Sequence, residues 1–124
     1  MFIYDEKTAT MTTRQGDTFS FEVEGVDDTW TMFFSVYDIK RNRIFEIEAN
    51  PIDGLATFNV SAAQSNKLTV SKGKKVETYY WALKRCKTDV DGTIEDTLVV
   101  QGKSVGDLTK VIVYPLVAEG FEND

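Results

Sequence analysis

Phe19-Ser20-Phe21-Glu22-Val23-Glu24 is the stretch on which the fold turns. Apolar and polar residues alternate without a break. Successive side chains of a strand point to opposite faces, so this segment reads as a strand with one face on a core and one in water. The same period of two recurs in Phe45-Glu46-Ile47-Glu48-Ala49 and in Ala56-Thr57-Phe58-Asn59-Val60. Tyr79, Trp81 and Leu83 form a further apolar row. The row opposite, Tyr80, Ala82 and Lys84, is also fairly apolar, which predicts a central strand. A Thr-rich strand over residues 8–14 precedes them all. Phe19, Phe21, Phe45, Phe58, Trp81 and Leu83 are expected to lie buried together.

Turn chemistry separates these runs. Gly16-Asp17 parts the first two strands, and residues 24–29 form a polar loop containing Gly25. Residues 40–43 make a short basic turn around Asn42. Pro51, Asp53 and Gly54 combine a fixed φ with a residue free to take positive φ. Asp91-Gly92 is a hairpin signal. Residues 61–68 differ: Ser61 followed by Gln64 matches a capping box, which predicts one short helical turn. No other segment holds a 3.6-residue period. Seven to eight strands at this spacing predict an all-β, antiparallel β-sandwich, with a closed barrel as the alternative. At 124 residues, without repeats or linkers, positions 1–124 read as one domain.

Composition narrows the chemistry. The chain has no His and one Cys, which excludes His-based catalysis, imidazole metal sites and internal disulfides. Its 14 Lys+Arg against 20 Asp+Glu give a net charge of −6, unfavourable for binding a phosphate backbone, so no nucleic acid is expected. The first seven residues lack a signal-peptide pattern, and no run is long and apolar enough to span a membrane. Cys86, with no His to activate it, reads as a small buried hydrophobe suited to a reducing cytosol.

Few motifs carry chemistry. Glu22, Glu24, Glu46 and Glu48 sit on polar strand faces rather than flanking a cleft, so no paired-acid enzyme is expected. Residues 89–96 are a faint calcium loop with Gly in the wrong place, and read as a hairpin. No cofactor and no metal are expected. Lys72, Lys74 and Lys75, with Lys84, Arg85 and Lys87, read as a solvated loop and strand edge, the alternative being an anion patch. Trp30, beside Asp27-Asp28, is the candidate ligand-face aromatic for a carbohydrate-binding or host-recognition module.

Residues 111–117 are apolar on both faces. Val111, Val113 and Val117 alternate with Ile112, Tyr114 and Leu116, and Pro115 suits an edge or an arm. These residues are the candidate interaction surface: an apolar C-terminal strand or arm through which the chain docks or self-associates. The acidic tail, 119–124, follows it.

From Arg14 to Thr109 the chain resembles the N-terminal β-sandwich module of phage upper baseplate proteins (BppU-type) and related tail or fibre proteins. Gln15-Gly16-Asp17-Thr18-Phe19-Ser20-Phe21 is similar to the opening Gly-Asp-Thr turn and its aromatic strand. Asp53-Gly54, the strand after it and residues 61–68 resemble the strand that enters a helical turn. Tyr80-Trp81-Ala82-Leu83 resembles the aromatic strand. Asp91-Gly92, Thr97-Leu98, Gly102 and Asp107-Leu108-Thr109 resemble the closing hairpin. Gly73 sits earlier than the pattern asks, and the larger C-terminal attachment region has no counterpart after Thr109. The resemblance implies an Ig-like sandwich and a non-enzymatic structural or adaptor role in a virion. Its implied partners are other virion subunits or itself as a homo-oligomer. The implied location is the particle, after synthesis in the bacterial host cytoplasm.

Overall fold

The computed structural model describes residues 1–90, 92–99 and 109–116. Within them the elements are β1 (Phe2–Asp5), β2 (Thr10–Arg14), β3 (Phe19–Glu24), β4 (Thr31–Tyr37), β5 (Arg43–Ala49), β6 (Leu55–Val60), α1 (Ala62–Ser65), β7 (Glu77–Asp89), β8 (Gly92–Val99) and β9 (Lys110–Tyr114). Among the described residues the fold is all-β apart from α1. Seven strands form one sheet in the order β1-β2-β9-β7-β4-β5, with β8 also on β7, and β3 pairs β6 in a second sheet.

The 13-residue β7 organises the larger sheet. Its Tyr80–Cys86 stretch pairs with β4 along one edge. Along the other edge β9 takes Glu77 to Tyr80 and β8 takes Leu83 to Asp89. At the junction the Trp81 N–H donates to the Thr109 carbonyl, and the Thr109 hydroxyl donates back to the Trp81 carbonyl. The expected central strand is therefore central. The expected antiparallel arrangement fails for one pair, because β2 and β9 run parallel. Nearly the whole chain separates those two strands, so no hairpin dictates their direction.

The core lies between the two sheets. Phe19, Ala56, Phe58 and Val60 from the smaller sheet face Met32, Phe34, Val36, Phe45, Trp81, Leu83, Val111 and Val113 from the larger, all buried. Phe34 sits among the rings of Phe21, Phe45, Phe58 and Trp81, with centroids 4.8–6.2 Å away. Phe21 and Val23 are half-buried rather than buried. Among the described residues their strand pairs with β6 alone, which leaves its other lateral side open. Phe2 covers part of that gap, its ring stacked 4.6 Å from Phe19 and 6.2 Å from Phe21.

Local chemistry follows the sequence signals. Ser61 caps α1, and its capping box with Gln64 is complete. In the β5–β6 turn Asp53 and Gly54 take φ of 53° and 79°. Their N–H groups both donate to the Asp28 carboxylate, at 3.2 and 3.0 Å, which stitches the β3–β4 loop to this turn. The β7–β8 hairpin sets Asp89 opposite Gly92, and Asp91 lies outside the described residues. Cys86 is free and half-exposed, not buried as expected. Its position in β7 alternates away from Leu83 and Arg85 and so falls on the outer face.

Several exposed charges hold turns together. The N–H groups of Lys40 and Asn42 both donate to Asp38 at 2.9 Å. Mainly the Asn42 N–H, this holds the Asp38 carboxyl below the usual carboxylate range. Asp27 is lowered by the Thr29 N–H, and Glu77 by the Lys74 ammonium that hydrogen-bonds it. A carboxylate depressed in the folded state stabilises above its unfolded value, and that contribution is lost as pH falls through the folded value. Lys84, raised by its bond to Glu95, behaves oppositely, losing its contribution as pH climbs through its folded value. Melting temperature should therefore be level from above the ordinary carboxylate range to below the lysine range, and fall on both sides. Asp38→Asn should make the acid limb shallower when melting is followed against pH. An unchanged acid limb would remove Asp38 from this account.

Candidate functional site

Residues 111–117 do not form an arm as far as they are described. β9 lies inside the sheet, hydrogen-bonded to β2 on one side and β7 on the other. Val111 and Val113 are fully buried in the core and offer nothing to a partner. On the other face Ile112 is half-buried between Thr12 and Thr78, while Tyr114 is 38% and Leu116 53% exposed. Val117 lies outside the described residues. β9 is thus an interior strand: one row fills the core, and on the other face Ile112 lies between threonines while Tyr114 and Leu116 stay exposed. Pro115 follows the last strand residue, so its missing N–H interrupts no ladder bond.

The segment after β9 is fastened down. The Gln15 N–H donates to the Tyr114 carbonyl at 2.9 Å, and Arg14 Nη1 donates to the Pro115 carbonyl at 2.9 Å. The Arg14 guanidinium also lies 5.8 Å from the Tyr114 ring centroid. The Gly16 N–H donates to Ser65 Oγ, whose hydroxyl donates to the Arg14 carbonyl. The Gly16 turn thus joins β2, α1 and the end of β9. Gly16 has φ +87°, and a Cβ there would stand 2.8 Å from Leu116 Cδ1. Left-handed backbone costs an L-residue about 1–2 kcal/mol. Gly16→Ala should lower stability by about that amount in urea titration. Leu116→Ala in the same chain should restore less than half, because the leucine tip can swing aside and the backbone strain cannot. Full restoration would make the effect purely steric.

Trp30 is half-buried and packs against the core. The Arg85 guanidinium lies over its ring at 4.2 Å from the centroid and Lys87 Nζ at 4.4 Å. The signal for this was present in β7: Tyr79, Trp81, Leu83, Arg85 and Lys87 share one face, and the row turns from apolar to basic where Trp30 meets it. Two cations on one indole are a packing arrangement worth about 0.5–1 kcal/mol each at exposed sites.

The other candidates disperse. Lys72, Lys74 and Lys75 precede β7, whereas Lys84, Arg85 and Lys87 lie in its second half. At about 3.3 Å per residue, Glu77 and Lys84 are roughly 23 Å apart. The two groups do not converge. Lys74 pairs with Glu77 and Lys84 with Glu95, each at 2.9 Å. Glu46 accepts from Ser35 at 2.7 Å and pairs with Arg43 at 3.3 Å, a bonded surface trio. In the 89–96 segment, Asp91 and the Asp89 and Asp96 side chains fall outside what is described. Among the described residues no three His, Cys, Asp or Glu side chains gather as metal ligands. A shallow depression of about 450 Å³ lies at the β3–β6 seam. Thr18, Phe19, Ser20, Asn59, Val60 and Ser61 line it, and none of them titrates.

β1 was not foreseen, since the first residues carried only a targeting question. Phe2-Ile3-Tyr4, aromatic and β-branched, was the available signal. Comparison with known proteins finds no matching family model, no matching curated protein and no matching solved structure.

Proposed function

We propose that this chain is a non-enzymatic structural and interaction module of a phage or prophage particle. It would be an Ig-like sandwich that docks to other virion subunits in a tail, baseplate or fibre. The observation that carries the reading is where the pieces of the resemblance meet. Gly16, from the Gly-Asp-Thr turn, is bonded to Ser65 of the helical turn. Trp81, from the aromatic strand, is bonded to Thr109 at the start of the last strand. Motifs far apart in sequence support one another as joints of one framework. The charged groups described above are occupied with turns and ladders rather than gathered at a cleft, which also favours a scaffold. The carbohydrate-binding reading loses support from Trp30, whose ring already carries two cations.

The test is composition of the particle. Particles induced from the bacterium that carries this sequence, banded by density and digested, should yield peptides of this chain alongside tail proteins. Recovery of the tail proteins without it would overturn the proposal. Glycan-array binding by the purified chain, lost on Trp30→Ala, would replace it with the carbohydrate reading.

A further inference from the structure

We propose that β1 is an edge on which the chain pairs with a second copy of itself, antiparallel and centred on Ile3. β1 ends the larger sheet, and among the described residues nothing pairs with its outer side. A strand edge presents unpaired N–H and C=O groups, and proteins usually blunt such edges with charge, proline or a bulge. β1 has none of these before Asp5. It also shows apolar side chains to water, with Ile3 59% and Tyr4 45% exposed. The strand is held rigid from its inner face, where Phe2 stacks on Phe19 and Tyr4 meets the edge of Trp81. An edge ordered in advance loses less freedom on pairing.

Charge patterning favours β1 over the other edges and lets it pair with a second copy without like charges directly opposite. β5, the other end of the sheet, carries Arg43, Glu46 and Glu48. Paired with itself about its centre, it would set Glu46 opposite Glu46, and like charges directly opposite are destabilising. β3 carries Glu22 and Glu24, and β8 carries Glu95. β6 is uncharged, but Phe58 and Val60 are buried and it shows Thr57 and Asn59 instead. β1 paired about Ile3 brings Ile3 onto Ile3 and Phe2 onto Tyr4 of the second copy. The two Asp5 carboxylates then stand four residue steps apart, roughly 14 Å. That exceeds the screening length of about 8 Å at physiological ionic strength. The contact is isologous, so it closes at a dimer. Four residues make a short seam, so the dimer is weak, in the class of small transient interfaces. It rests on the edge alone and stands whether or not the particle reading holds.

Sedimentation equilibrium of the intact chain, from low micromolar to near-millimolar concentration, should show mass rising toward twice that of the monomer. Added salt should strengthen the dimer by screening the net charge of −6. Ile3→Lys should hold the mass at the monomer value with little change in melting temperature, since Ile3 is exposed. A second arm does not depend on that variant. In a Cys86→Ser background, Ile3→Cys should form a disulfide-linked dimer under mild oxidation, because directly opposed strand residues lie within disulfide reach. Ile39→Cys, exposed in the β4–β5 turn, should not. A monomer at every concentration, a dimer that survives Ile3→Lys, or equal cross-linking at both positions would overturn the proposal.

Discussion

Phe34→Ala should remove most of the stability of this protein. Phe34 is fully buried, and four aromatic rings surround it. It stands on β4, between β5 and β7, facing the smaller sheet. Truncating a buried Phe costs about 3–5 kcal/mol, the transfer term plus the cavity that rigid neighbours cannot close. Small domains have about 5–15 kcal/mol in total. For a chain of this size the melting temperature should fall on the order of 10–20 °C. The urea midpoint should drop with little change in slope. Phe33→Ala is the matched control. Phe33 neighbours Phe34 in sequence but lies half-buried on the outer face between Glu48 and Lys84. It should cost about a third as much. If the two variants were equally costly, the assignment of faces in β4 would be wrong.

That pair also marks how far the sequence could be read. In β3, β5 and β6 strict alternation names the inner face, and burial follows it, with Phe21 and Val23 only half-buried on their open side. In Met32-Phe33-Phe34 both parities are apolar, and Thr31 and Ser35, on the parity of Phe33, are what hints at the outer row, although Ser35 is itself buried beneath Glu46. The capping box at Ser61 and the turn at Asp53-Gly54 were legible because local chemistry is complete within a few residues. Strand order was not. Which edge β9 joins depends on β2 and β7, residues about 100 and about 30 positions away, and nothing in Val111-Ile112-Val113 names them. An apolar strand inside a sheet and an apolar arm in a partner share one pattern, and Pro115 tipped the reading toward the arm. For Trp30 the cations were visible in the alternation of β7, but that the loop would lay the indole on them was not. The edge at β1 was hidden for a simpler reason: a four-residue strand is too short for a period to stand out.

Val113→Asp should prevent folding, and this outcome separates the two accounts of the last strand. Val113 is fully buried, with Thr13 beside it on β2 and Glu77 beside it on β7. An aspartate there would put an unpaired carboxylate into the core, on a register position beside Glu77, whose own carboxylate is held at the surface by Lys74. Uncompensated buried charge costs about 3–5 kcal/mol or more, and like charges directly opposite add to it. With Phe34→Ala, this is the largest single-residue loss expected. Ile112→Asp changes the same strand by the same chemistry on the face between Thr12 and Thr78, where the side chain is half-buried and water can reach the charge. That variant should fold, with a modest loss. A chain ending after Lys110 should fail to fold as well, because β2 and β7 would be left without the strand between them. Circular dichroism and urea titration read all three. The arm account expects the reverse: Val113→Asp and the shortened chain fold normally and differ only in assembly. A native spectrum and an unshifted midpoint for Val113→Asp would therefore move β9 out of the sheet, and with it the parallel pair that makes the sheet mixed.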